Sequence, residues 1–106
     1  MELNDAYLSM KKKDNEKLVE RKLVEMCKEF GALCIKLLTY QFTGLPDRMC
    51  LFPHGVIVFV ELKSTGEKPR KIQLAVHKKL RELGFRVEVI DTIEDVENLV
   101  FEITCG

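Results

Sequence analysis

Val56-Ile57-Val58-Phe59-Val60-Glu61-Leu62-Lys63 is the stretch on which the fold turns. Its first five residues are β-branched or aromatic, and apolar at every position. Such a strand is covered on both faces and lies centrally in a sheet. Side chains alternate along a strand, so Glu61 and Lys63 leave the apolar part on one face and Leu62 on the other. Just upstream, Pro53-His54-Gly55 makes a tight turn, with proline presetting the first dihedral and glycine following where it is favoured. Asp47 to Phe52 is then a second strand, antiparallel to the first. Counting back along this hairpin places Asp47 and Glu61 at the same end of the ladder.

Working outward, Gly44-Leu45-Pro46 breaks the chain, since proline forces Leu45 to be extended. Cys34 to Tyr40 reads as another strand. Asn15 to Phe30 is helical, with Val19, Leu23, Met26 and Phe30 on one stripe and Gly31 as its stop. Glu16 and Glu20 sit one above the other beside that stripe, at the boundary of core and solvent. Residues Met1 to Asp14 form a weakly determined extension, so the domain is taken as residues 15–106. Downstream, Pro69 opens a helix to Leu83, stopped by Gly84. Ile72, Ala75, Val76, Leu80 and Leu83 are its expected buried stripe, while Gln73 and His77 share one flank and His77 is read as solvated. Arg86 to Ile90 is a fourth strand, and Thr92 or Asp91 caps a last helix over Ile93 to Val100. The order is helix, three antiparallel strands, helix, strand, helix: an α/β domain with a mixed sheet of about four strands.

A chain of 106 residues fits one domain, and 46% hydrophobic residues exclude a disordered one. Lys plus Arg and Asp plus Glu both number 17, so net charge announces no partner. The distribution does. Between Lys63 and Arg86 stand Lys68, Arg70, Lys71, Lys78, Lys79 and Arg81 against only Glu67 and Glu82. After Arg86 there are acids but no Lys or Arg. This suits a phosphate-facing strip with an acidic back. Cys27, Cys34, Cys50 and Cys105 form no Cys-x-x-Cys pair and lack ligand spacing with His54 or His77. They read as reduced thiols, the first three in the core, and spacing points away from zinc. With no signal peptide and no apolar run of membrane-spanning length, the expected location is intracellular.

A lone Glu-x-Lys at a strand end is ordinarily an ion pair. Asp47 at the same end changes that reading, because two close carboxylates repel unless a cation lies between them. Oxygen ligands with open positions suit Mg²⁺ or Mn²⁺, and a lysine beside them can serve the attacking water or the phosphate.

Gly44-Leu45-Pro46-Asp47-Arg48, then Val58-Phe59-Val60-Glu61-Leu62-Lys63, then Gln73 in the next helix resemble the PD-(D/E)XK nuclease superfamily. The likeness is closest to its VRR-NUC branch, the virus-type replication-repair nucleases. It runs from about Asn15 to Val100 and takes in Gly84-Phe85-Arg86-Val87. The resemblance implies a restriction-endonuclease-like core that hydrolyses DNA with Mg²⁺ or Mn²⁺ and no organic cofactor. It implies Asp47 and Glu61 as metal ligands, with the Leu62 carbonyl as a third, and Lys63 as the catalytic lysine. Gln73 would position the attacking water or the phosphate. A glutamate of the first helix completes such sites: Glu20 matches by its distance to Gly31, and Glu16, one turn earlier, stays open. Arg48, Lys68, Arg70, Lys71, Lys78 and Lys79 are the candidate DNA contacts, with Arg48 equally suited to a structural ion pair. Short stand-alone members of this branch resemble homodimeric Holliday-junction resolvases, and Leu3, Tyr7, Leu8 and Met10 are apolar residues free to pack across a two-fold axis. The alternatives are a monomeric flap or nicking nuclease, or a non-catalytic DNA-binding module. Against the last, acids that repel phosphate stand intact at Asp47 and Glu61.

Overall fold

The structure is a computed structural model that describes residues 13–40 and 42–106. Asn15 accepts the Leu18 N–H with its side chain at 2.9 Å and so starts helix α1 (Glu16–Glu29). Strand β1 (Leu33–Lys36) follows. Then come β2 (Arg48–Phe52), a turn at Pro53–Gly55, and β3 (Val56–Leu62). In that turn His54 has a φ of 66° and Gly55 one of 75°. Helix α2 (Lys71–Glu82) leads to β4 (Arg86–Ile90), and α3 (Ile93–Cys105) ends the chain.

The sheet order is β1-β2-β3-β4, antiparallel except for the parallel β3–β4 pair, so β3 is central as its composition requires. Val58, Val60 and Leu62 point to one face. They meet Val19, Leu23, Met26 and Cys27 of α1 and Val96, Leu99 and Val100 of α3 in one buried cluster. Phe59 and Glu61 alternate to the other face, where α2 lies. There Phe59 meets Phe85 edge to face, with ring centroids 5.6 Å apart.

Three local readings are corrected, and the reading of the cysteines gains a spatial fact. The first strand ends at Lys36 and not at Tyr40: beyond one more ladder bond, from Leu37 N–H to the Asp47 carbonyl, Leu38 and Tyr40 are exposed. The last helix continues past Val100 to Cys105, because Ile103 packs on the core and Phe101 meets Phe30 edge to face. On α2 the expected stripe is not buried. Ile72 is 45% and Leu83 61% exposed, Ala75 is exposed, and Val76 and Leu80 are half-covered. The polar flank is buried instead, with Gln73 at 7% and His77 at 0% exposure. A carboxylate taken out of water at Glu61 needs donors, and that need turns the helix. Finally, the cysteines lack ligand spacing in sequence, yet the fold gathers Cys27, Cys34 and Cys50, their sulfurs within 4.8 Å of one another. All are free thiols, two buried and Cys34 half-buried.

Two contacts lock the frame of the site. Asp14 is buried at the head of α1; its N–H donates to Thr65 Oγ1 at 2.8 Å, and its Oδ2 accepts the Ile93 N–H at 2.9 Å. Gly44 has a φ of 94°, and a Cβ there would stand 2.8 Å from both the Ile72 carbonyl oxygen and Val76 Cγ2. Only glycine lets the loop before Asp47 lie so close on α2. Among the described residues no helix is long and apolar enough to cross a membrane.

Candidate active site

Asp47 directly precedes β2. Because Arg48 pairs with Val60, continuing the register sets Asp47 opposite Glu61. Its Oδ2 accepts the Leu62 N–H at 2.7 Å, which fixes the carboxylate at the strand end. Glu61 is 1% exposed. Its Oε2 accepts from Gln73 Nε2 at 3.0 Å and lies 3.5 Å from Lys63 Nζ. Its Oε1 lies 3.3 Å from His77 Nε2. Gln73 is itself fixed, because its Oε1 accepts the Arg70 N–H at 2.8 Å and caps α2.

The electrostatics follow from this crowding. Burial first, then the charge of Asp47 and a hydrogen bond shared with it, push the Glu61 carboxyl up to about 8, while Lys63 pulls the other way. Burial, with the positive charges of Arg81 and Lys63, lowers His77 from the usual imidazole range. A neutral His77 donates from one ring nitrogen only, and Nδ1 is buried with no hydrogen-bond partner. Asp47 and Glu61 thus stand close enough to share a proton where a hard dication would relieve both. The donor set fits such an ion: two carboxylates side by side, no thiol or imidazole required.

The two helix carboxylates part company. Glu20 Oε2 takes both Arg48 Nε and Nη2 at 3.1 Å, and Arg48 Nη1 donates to the Cys34 carbonyl at 3.3 Å. Arg48 and Glu20 are therefore committed to each other. Glu16, one turn earlier, has its N–H held by Ser64 Oγ at 3.0 Å. Partial burial and then the charge of Asp47 raise its carboxyl, and Lys63 opposes them. Glu16 is the helix carboxylate that senses the Asp47–Lys63 cluster.

No protein-family model matches the chain. A phage protein named "Putative nuclease p44", from Acyrthosiphon pisum secondary endosymbiont phage 1, is 36% identical over 85 residues, which cover 80% of this chain and 90% of that protein. A solved structure described as a VRR_NUC domain matches with a TM-score of 0.75 at 34% identity, over 80% of this chain and 92% of its own. The chain belongs to the VRR-NUC nuclease family. Its mixed four-stranded sheet with three helices is the VRR-NUC fold, as the Gly-x-Pro-Asp-Arg and Glu-x-Lys motifs imply.

In this VRR-NUC chain the structure brings Asp47, Glu61, Lys63 and Gln73 to one point. It also adds His77, which was read from sequence as a solvated helix residue. The signal for His77 was present: Gln73 and His77 are one turn apart on one flank. What was missing was that this flank, and not the apolar stripe, faces Glu61. Lys68, Arg70, Lys71, Lys78 and Lys79 are all exposed, whereas Arg81 donates to the Val87 carbonyl at 2.8 Å.

Proposed function

We propose that this VRR-NUC protein is a Mg²⁺- or Mn²⁺-dependent DNA endonuclease that hydrolyses phosphodiester bonds in four-way junctions as a homodimer. The observation that carries hydrolysis is the Asp47–Glu61 pair with Lys63 Nζ 3.5 Å from Glu61. Asp47, Glu61 and the Leu62 carbonyl would hold the cation. When bound, it supplies charge neutralisation at the phosphate and a more acidic water.

The chain's own residues do the rest. The Leu62 N–H fixes one Asp47 oxygen at the strand end. Gln73 and His77 hold Glu61 in one orientation, and His77 acts as a positioning residue because it touches only that carboxylate among the site groups. Lys63 stabilises charge developing on the phosphate and orients the attacking water by donating to it. Glu16 faces the same cluster. Lys68, Arg70, Lys71, Lys78 and Lys79 contact phosphates, which carry little sequence information, so cleavage is structure-specific. Glu16→Gln should therefore lower kcat by about tenfold or more with the melting temperature unchanged. Glu20→Gln should leave kcat within about threefold and instead cost about 1 kcal/mol of stability through Arg48. The reverse pattern, read by cleavage kinetics and thermal melts, would return the role to Glu20.

The homodimer has its own support. Ile72 and Leu83 of the α2 stripe are exposed, Val76 and Leu80 are half-covered, and an apolar groove of about 260 Å³ opens between α2 and Phe42 with Leu45. Contiguous apolar surface of this kind marks an interaction site. Two symmetric cuts need two sites related by a two-fold axis, which an isologous dimer supplies. The N-terminal Leu3, Tyr7, Leu8 and Met10 lie outside the described residues.

Cleavage of four-way, flap and linear DNA, with and without Mg²⁺, tests both halves. Paired cuts in the junction and a sedimentation mass about twice 12.3 kDa are expected, with Leu83→Lys monomeric. A monomer that cuts flaps alone supports the flap or nicking reading. Binding without cleavage in any metal supports the non-catalytic module.

A further inference from the structure

Helix α1 and strands β1 and β2 each contribute one cysteine to a single point. The sulfurs of Cys27, Cys34 and Cys50 all lie within 4.8 Å of one another, and Cys34 and Cys50 stand 3.9 Å apart. The backbone explains the closeness. Cys34 is the direct cross-strand partner of Cys50. The Leu37 N–H bonds the Asp47 carbonyl, so hydrogen-bonded pairs fall at Leu37–Asp47 and two residues on. That puts Cys34–Cys50 at the intervening kind of position, where side chains approach most closely. Cys27 comes down from α1, wholly buried on the core side of the sheet.

We infer that Cys27, Cys34 and Cys50 form a binding site for one thiophilic d¹⁰ dication, zinc in the first place. Sulfurs bound at about 2.3 Å to one tetrahedral ion stand about 3.8 Å apart, and the observed spacing needs only small rotamer shifts to meet that. Cys27 and Cys50 are sealed from solvent while Cys34 is half-buried, so the fourth position opens on the Cys34 side, to water or a small anion. Three thiolates and a dication leave one negative charge, and the Arg48 guanidinium, itself paired with Glu20, lies beside it, donating to the Cys34 carbonyl at 3.3 Å. This site is separate from the Asp47–Glu61 pair in position and chemistry: soft sulfur on the α1 side of the sheet, hard oxygen on the α2 side. Its effect would be structural. It would tie α1 to the edge hairpin that carries Arg48 and Asp47, in a chain small enough to gain from such a staple.

The test uses the whole chain with the exposed Cys105 changed to serine, kept reduced, with excess Mg²⁺ to occupy any carboxylate site. One equivalent of CdCl₂ should produce the ultraviolet thiolate-to-cadmium charge-transfer band, saturating at one ion per chain, and a large excess of ZnCl₂ should compete with it. Carboxylates cannot give that band. Cys34→Ser should weaken cadmium binding by about 100-fold or more, and it should abolish the rise in melting temperature that zinc gives the parent. A second measurement needs no change within the cluster: one equivalent of cadmium should protect Cys34 from alkylation, read by peptide mass mapping. No saturable band, an undiminished band in Cys34→Ser, or unchanged alkylation of Cys34 overturns the site.

Discussion

Lys63→Ala should reduce cleavage by about 10²–10³-fold or more while the chain still folds and still binds branched DNA. The side chain ends at Glu61, with Nζ 3.5 Å from Oε2, and is only 12% exposed. It follows a strand end, so its loss removes little core volume. In the proposed mechanism its ammonium meets a phosphate oxygen and the attacking water. Arginine should not rescue the rate, because its planar fork cannot occupy the place of a compact ammonium beside Glu61. A control separates this role from general damage. Lys63 opposes the upward push on Glu61, so its removal leaves the two carboxylates less compensated. Divalent metal should then bind Lys63→Ala at least as tightly as wild type, while the rate is lost. Wild-type turnover in this variant, measured on the preferred substrate with saturating Mg²⁺, would remove Lys63 from the mechanism. Lost metal binding together with lost rate would mean that the strand end had collapsed.

The sheet was legible because its signals are local and redundant. The apolar run of Val56–Val60, the Pro53-His54-Gly55 turn and the breaker at Gly44-Leu45-Pro46 each point to one hairpin. That hairpin alone predicts Asp47 beside Glu61, which the register shows. The orientation of α2 was not legible. Its apolar stripe at Ile72, Val76, Leu80 and Leu83 is a valid helix pattern, and burial of such a stripe is the ordinary outcome. What overrides it is one buried carboxylate: Glu61 recruits Gln73 and His77 from the next flank, and the stripe is turned to the surface. This competition is between two elements, so neither segment reveals it alone. The same holds for Glu16 against Glu20. Both lie on one helix face, and only the reach of Arg48 across to Glu20 decides which carboxylate is left near Lys63.

Glu61→Gln should make the metal-free protein more stable than wild type at pH 8 and inactive at every pH. Glu61 is raised from 4.5 to about 8, chiefly by burial and then by Asp47. Between those two values the folded state holds a proton that the unfolded state has released. Stability is therefore fully present below about pH 4.5 and falls as pH rises toward 8, by at most about 1.4 kcal/mol per unit. His77 runs the other way. Its folded value is depressed below 6.5, so its contribution is lost as pH falls under that value. The window from about 6.5 to 8 therefore separates Glu61 from His77, and groups common to wild type and Glu61→Gln cancel in the difference between them. Glutamine has no proton to lose, yet its oxygen can accept from Gln73 Nε2 and its amide can donate to Asp47. Thermal melts across the window should show a more downward slope for wild type than for Glu61→Gln. Mg²⁺ or Mn²⁺ should reverse the wild-type slope, because a cation favours the ionised pair and mass action then stabilises the fold. The variant should gain little from either ion, and its cleavage should drop by about 10² or more. Equal slopes in the two proteins would mean that Glu61 is not under this strain. A metal-induced rise in melting temperature that survived in Glu61→Gln would place the cation somewhere other than between Asp47 and Glu61.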